Sequence, residues 1–317
     1  MILKEILKDV TRAAVGGHMR PDGDCVGSCM GLYLYLKQWY PNIQVDVYLE
    51  EIPDSFRFLT DSEIIKHKVD QAAKYDLFMA LDCGDTRRLG FSNELFEQTA
   101  KTVCIDHHIS NIGYADHNYI VSEASSTAEL IYNLCEKEKI NKAMAEYLYM
   151  GLVHDTGVFQ YSATSPSTME AAAELMRKGI NASGIIERTY YEKTYEQNRI
   201  LGHVLLNCRL YLKGRCIVSV LTTQDLDHYG VKPGELDGIA SQMRNTKGVD
   251  ASLFLYELTP GEFKGSLRSS DAVNVNEIAR YFGGGGHKKA AGFSLSAEAD
   301  MIIEQVLEQM VKQWNRG

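Results

Sequence analysis

Three times in the first half of the chain a short apolar run ends on aspartate or histidine, and this pattern constrains the fold more than any other feature. The runs are RAAVGGH, YDLFMALDCG and KTVCIDHH, interleaved with helical CVGSCMGLYLYLKQWY and strand-like IQVDVYL. Such alternation builds an α/β fold with a mainly parallel sheet flanked by helices. Polar groups at strand ends lie where open α/β sheets bind ligands. At 317 residues, 45% of them hydrophobic, the chain has room for two domains and is too apolar for a disordered one.

Residues 125–180 read as helical, with Ser126 or Thr127 as a cap before AELIYNLCEKEK. The charged helical stretch ERTYYEKTYEQNRILGHVLL suits a connector. The expected division is a catalytic domain over 1–188, a helical connector over 189–207 and a smaller α/β domain over 208–317. In the last of these, strand-like CIVSVL, DASLFLYEL and EFKGSLRS alternate with helical ELDGIASQMRN, VNEIARYF and ADMIIEQVLEQMVKQW. Tyr190, Tyr191 and Tyr195 are expected to pack the connector rather than stack bases.

The net charge of −9 disfavours the broad basic footprint that holds a long duplex, so any nucleic-acid partner should be short. The N-terminal MILKEILKDVTRAAVGG offers no uninterrupted apolar run, which predicts no membrane partner and a cytoplasmic location. Seven scattered cysteines without a CxxC pair read as reduced thiols.

In HMRPDGDCVGS, His18, Asp22 and Asp24 follow a strand end. Two carboxylates one residue apart beside an imidazole gather hard ligands at one turn, although a helix-capping Pro-Asp-Gly turn reads the same way. An EF-hand does not fit, because Val26 and Tyr33 stand where acidic ligands belong. In LDCGDTRRLG, Asp82 closes a buried strand and needs a partner, whether a metal, a helix start or Arg87. Arg87 and Arg88 either bind phosphate or pair with Asp85.

In CIDHHISN, the adjacent His107 and His108 point in different directions, so one can hold a metal while the other reaches a different group. Asp106 is placed behind them to orient an imidazole. In GLVHDTGVFQYS, Asp155 interrupts an apolar helix, and His154 lies about 100° away around it, so only one of the two faces a site.

Together His18, Asp22, Asp24, Asp82, His107 and Asp155 are a nitrogen and oxygen donor set for two divalent ions, with Asp82 bridging. Carboxylate-rich sites without thiolate favour Mn2+ or Mg2+ over zinc. Paired ions serve in-line attack on phosphorus by activating a bridging hydroxide and stabilising the attacking and leaving oxygens. Towards the C-terminus, Arg268 in EFKGSLRSS suits a terminal phosphate. The run Gly283 to Gly286, with His287, Lys288 and Lys289, would let backbone approach a nucleotide. It is neither a Walker loop nor a Rossmann fingerprint.

The series H-x-x-x-D-x-D-x-x-G-S, LDCGD, DHH and HDTG resembles the DHH phosphoesterase superfamily, and GSLRS with GGGGHKKAAG resembles its DHH-associated substrate-binding domain (DHHA1). Length and paired motifs point further to NrnA-type oligoribonuclease (nanoRNase) and pAp phosphatase proteins. The resemblance implies that His18, Asp22 and Asp82 hold one metal and Asp24, Asp82, His107 and Asp155 the other, Mn2+ first. It implies that His108 touches the scissile phosphate. Asn111, Arg268, Ser269, Gly284, Gly285, Gly286 and His287 then contact substrate, while Cys25 and Cys29 are inert.

The implied activity is hydrolysis of short oligoribonucleotides to mononucleotides and removal of the 3′-phosphate of pAp. The alternative is a cyclic di-AMP or pApA phosphodiesterase, followed by a manganese pyrophosphatase or a non-catalytic nucleotide sensor. The family also suggests a homodimer.

Overall fold

The computed structural model describes residues 3–315; Met1, Ile2, Arg316 and Gly317, which the expected domain spans include, lie outside it. The chain divides into two compact units, Met1–Glu192 and Lys193–Gly317.

The first unit opens with α1 (Leu3–Ile6), β1 (Arg12–Gly16), α2 (Gly23–Trp39), β2 (Gln44–Tyr48), β3 (Leu77–Leu81), α3 (Asn93–Gln98) and β4 (Thr102–Asp106). It continues with β5 (His117–Ile120), α4 (Thr127–Leu134), α5 (Lys142–Asp155), α6 (Pro166–Arg177) and α7 (Ala182–Ile186). The five strands form an all-parallel sheet of order β2-β1-β3-β4-β5. Residue alternation along the strands feeds two cores: Val15, Met79, Leu81 and Ile105 pack on one side, and Ala14, Tyr48, Phe78 and Ala80 on the other. Both faces are therefore covered, as a parallel sheet requires. The strand order reverses between β1 and β3, where such sheets open a crevice at their carboxyl ends.

Helices α2 and α5 sit unusually close. A Cβ on Gly27 would come 2.5 Å from the Tyr147 carbonyl oxygen and 3.0 Å from the Gly151 nitrogen, so only glycine allows this approach.

The second unit runs α8 (Tyr195–Leu206), β6 (Arg209–Tyr211), β7 (Cys216–Leu221), α9 (Thr223–Tyr229), α10 (Ile239–Arg244), β8 (Ala251–Thr259) and β9 (Glu262–Ser269). It ends with α11 (Val275–Tyr281), β10 (Gly285–His287), β11 (Ala290–Ser296) and α12 (Ala299–Trp314). Its sheet, β10-β11-β9-β8-β7-β6, is mixed, with β7 and β8 parallel and the remaining pairs antiparallel.

The stretch read as a connector is divided. Glu187–Tyr191 is a π-helical turn within the first unit, whereas α8 buries Ile200 and Val204 in a core with Ile217 and Leu221 of the second. Tyr190 packs its ring against His154 at 5.5 Å, while Tyr195 stays 74% exposed. Among the described residues no helix is long and apolar enough to cross a membrane.

Candidate metal centre

Four segments bring the six expected donors to the carboxyl edge of the first sheet. His18 follows β1, Asp82 follows β3, His107 follows β4, Asp22 and Asp24 open α2, and Asp155 closes α5. The sequence needs no unusual chemistry to place them, because each strand simply ends where its apolar run ends. Asp82 is the exception. Its φ of +55° is a left-handed conformation rare outside glycine, a departure that tends to persist at functional sites.

The carboxylate of Asp82 lies between imidazoles, with Oδ2 3.4 Å from His18 Nε2 and Oδ1 3.6 Å from His107 Nε2. His18 Nε2 also lies 3.7 Å from Asp22 Oδ1. His107 Nε2 meets Asp155 Oδ2 at 2.9 Å and Asp24 Oδ2 at 4.0 Å. The donors thus fall into two groups that share Asp82, as the expected ligand sets require.

The far nitrogens explain the orientation. His18 Nδ1 donates to the Met19 carbonyl oxygen at 2.9 Å, and His107 Nδ1 faces the Ala124 carbonyl oxygen at 3.3 Å. A carbonyl only accepts, so each Nδ1 carries a proton and each Nε2 is the ring atom turned towards carboxylates. Lone pairs and carboxylate oxygens repel unless a cation or proton lies between them.

The titration behaviour has the same cause. Burial disfavours imidazolium, yet Cys25, Asp22 and Asp82 outweigh it at His18, and Asp155, Asp82 and Asp24 outweigh it at His107, pushing both pKa values well above the ordinary histidine range. Burial, with Asp82 and Asp155 nearby, drives Asp24 well above the usual carboxylate range. Asp82 is also buried, but the surrounding imidazoles hold it ionised, below that range. A cluster that recruits protons this way carries more negative charge than its own groups neutralise. Divalent cations fit it, and the oxygen and nitrogen donors suit hard or borderline ions.

Asp22 combines the two roles that its sequence left open. It caps α2 by accepting from the Asp24 and Cys25 backbone N–H groups, both at 3.1 Å, while standing beside His18. Arg87 pairs with Asp85, its Nη2 3.3 Å from Oδ2. His154 turns away from the centre, with Nε2 3.1 Å from Thr189 Oγ1, so Asp155 is the member of that pair that faces the donors.

Asp106 sits behind the site with no exposure, and its Oδ1 accepts from His108 Nδ1 at 2.7 Å. The imidazole it orients is therefore that of His108. Asn111, expected at substrate, is only 8% exposed, and its amide is engaged internally: Nδ2 donates to Asp106 Oδ2 at 2.7 Å and Oδ1 accepts from Gly113 N at 2.8 Å.

Sequence reasoning missed Thr127. Its N–H donates to Asp24 Oδ2 at 2.7 Å, the Ala128 N–H donates to Asp24 Oδ1 at 2.8 Å, and its hydroxyl donates to Asp82 Oδ1 at 3.1 Å. The available signal was its position just after the cap, Ser126, where helix N–H groups favour anions.

In the second unit, Arg268 lies near the end of β9 and donates from Nη1 to the Leu267 carbonyl oxygen at 2.9 Å. Ser269, expected at substrate, is buried and donates to the Val273 carbonyl oxygen at 2.7 Å. The glycines do make a close approach, but to protein backbone: a Cβ on Gly284 would lie 2.1 Å from the Gly292 carbonyl oxygen, and one on Gly286 2.5 Å from that of Ala290. Gly285 is open, and His287 ends β10 half-buried.

Comparison with known proteins follows the same division. The DHH family N-terminal domain matches residues 12–152 and the DHHA1 domain matches residues 213–315. The chain is 30% identical over 305 residues to the bifunctional oligoribonuclease and PAP phosphatase NrnA of Bacillus subtilis, covering 93% of each. It is 28% identical to the NrnA of Thermus thermophilus, covering 100% of this chain and 94% of that one. An exopolyphosphatase-related protein from Bacteroides fragilis superposes with a TM-score of 0.90 at 25% identity, over 99% of this chain and 95% of that one. With both domain matches in order and a full-length relative at this identity, the chain belongs to the DHH family of phosphoesterases, as a member carrying a C-terminal DHHA1 domain.

Proposed function

We propose that this chain hydrolyses short oligoribonucleotides to mononucleotides and removes the 3′-phosphate of pAp, with divalent metal ions, manganese foremost, held by the six donors. His18, Asp22 and Asp82 would hold one ion, and Asp24, Asp82, His107 and Asp155 the other. The observation that carries the reading is Asp82, whose two oxygens are turned to different imidazoles. The substrate class rests on the two relatives named as oligoribonuclease and PAP phosphatase. When bound, such ions lower the pKa of water and neutralise charge on a phosphoryl group.

The remaining work falls to side chains. Asp106 fixes the proton of His108 on Nδ1, leaving Nε2 as the ring atom to meet a phosphate oxygen. Burial disfavours the His108 cation, but Asp106 and Asp82 raise its pKa, so the ring can donate a proton-bearing Nε2 to an anion. Asp24 is anchored by the start of α4 and so keeps its place when substrate charge arrives. In the second unit, Arg268, the open Gly285 and His287 would supply contacts to a terminal nucleotide.

Turnover with manganese should be compared on pAp, an RNA dinucleotide, a longer RNA, cyclic di-AMP, pApA and pyrophosphate. Dinucleotide and pAp should be fastest, and chelation should abolish both. Cyclic di-AMP, pApA or pyrophosphate outrunning them would replace the proposed substrate, and metal binding without any turnover would make the chain a sensor. Arg268→Ala should raise KM for pAp about tenfold with kcat little changed, roughly the worth of one charge-assisted hydrogen bond.

A further inference from the structure

A sulfur sits among the nitrogen and oxygen donors. Cys25 Sγ, a ring nitrogen of His18 and a carboxylate oxygen of Asp82 all lie within 4.8 Å of one another. Their residues are 0%, 5% and 2% exposed respectively. Cys25 belongs to the first turn of α2, and its Sγ points back towards β1, 3.9 Å from the His18 carbonyl oxygen. Gly17 makes room for it, since a Cβ there would come 2.3 Å from Cys25 Sγ. A thiol so enclosed, yet turned to two of the donors, does more than fill space.

We propose that Cys25 is a sulfur ligand on the His18 side of the centre, so that this position accepts a thiophilic divalent cation, zinc or cobalt, through His18, Cys25 and Asp82. The inference rests on the reading of His18 and Asp82 as metal ligands. Tetrahedral coordination, with metal–sulfur near 2.3 Å and metal–nitrogen near 2.0 Å, puts the two donors about 3.6 Å apart. The present group reaches that by closing no more than about 1.2 Å, on the scale of a side-chain adjustment. On binding, the Cys25 S–H bond breaks, sulfur keeps the electron pair and donates it to the cation, and the proton leaves to solvent; nothing is oxidised or reduced. Manganese and magnesium gain little from sulfur, whereas zinc and cobalt gain much. The position therefore discriminates between two classes of ion, and zinc bound there displaces manganese.

The intact protein should be titrated with cobalt(II) and its near-ultraviolet absorption followed. A sulfur-to-cobalt charge-transfer band is expected, lost in both Cys25→Ser and Cys25→Ala. Zinc affinity, measured by competition with a chromophoric chelator, should fall at least about tenfold in both variants, while manganese affinity changes by less than about threefold. Cobalt binding to the parent protein without that band overturns the proposal, and so does unchanged zinc affinity in both variants. The parent spectrum decides even if a variant misfolds. If neither manganese nor cobalt binds, or if both bind Asp82→Asn as tightly as the parent, the metal centre itself falls. Manganese binding that depends on Asp82 with no sulfur band removes only the role of Cys25.

Discussion

The two units bury different kinds of polar group. In the first, the shielded set includes His18, Asp24, Asp82, Asp106, His107 and Glu129; in the second, among the described residues, it is Ser219, Ser252 and Ser269. Those serines each donate to a backbone carbonyl oxygen, of Val204, Ala240 and Val273. A hydroxyl satisfied in this way is cheap to bury, whereas an ionised group costs several kcal/mol unless paired. The first unit therefore keeps an arrangement that folding alone would disfavour. Among the described residues of the second unit, no charged side chain is buried.

The sharpest way to break this contrast is Asp82→Ala. It should cost several kcal/mol of transition-state stabilisation, on the order of 10³-fold or more in turnover, with manganese binding lost in calorimetry. An active Asp82→Ala protein would remove the reason for its buried charge.

Asp106→Asn should lower turnover about 10- to 100-fold by releasing His108. It should also alter the acid limb of stability. Burial would raise Asp106, but His108 and Asn111 hold it below the usual carboxylate range. A depressed carboxylate contributes stability that is present above its unfolded pKa, about 3.9, and is lost as pH falls through its folded value. Urea titrations below about pH 4 should therefore show a flatter decline in the variant than in the parent.

Smaller effects come from glycines. Gly27→Ala should destabilise the protein by about 1–3 kcal/mol in urea, because the new methyl meets the Tyr147 carbonyl. Gly202→Ala in α8 of the second unit meets nothing within 4 Å and should stabilise by about 0.4–1 kcal/mol. Equal responses at the two sites would deny that α2 and α5 are packed as tightly as described.

Much of the site was readable before folding because its donors end apolar runs. His18, Asp82 and His107 each follow a strand that stops where hydrophobicity stops. Asp155 was readable as a carboxylate in an apolar helix, with one neighbour necessarily turned aside. Asn111 and Ser269 show what the letters leave open, since a polar residue beside a motif has the same letters whether it faces substrate or closes an internal hydrogen bond. Gly284 and Gly286 are similar: a glycine records a close approach without saying to what. The hydroxyl contact of Thr127 with Asp82 and the contact of Gly27 with α5 left no local trace, because each depends on a partner distant in sequence.

Residue order by itself determined that strands would alternate with helices, that carboxylates and imidazoles would fall at strand ends, and that long duplex nucleic acid would find little positive charge. Those are properties of neighbouring residues and of sums. Tertiary structure decided that Asp82 stands between two imidazoles, that Asp106 serves His108, that Cys25 turns towards the centre, and that Gly284 and Gly286 pack against β11. These depend on direction, which a chain acquires only when strand order, helix rotation and left-handed turns orient each side chain in space.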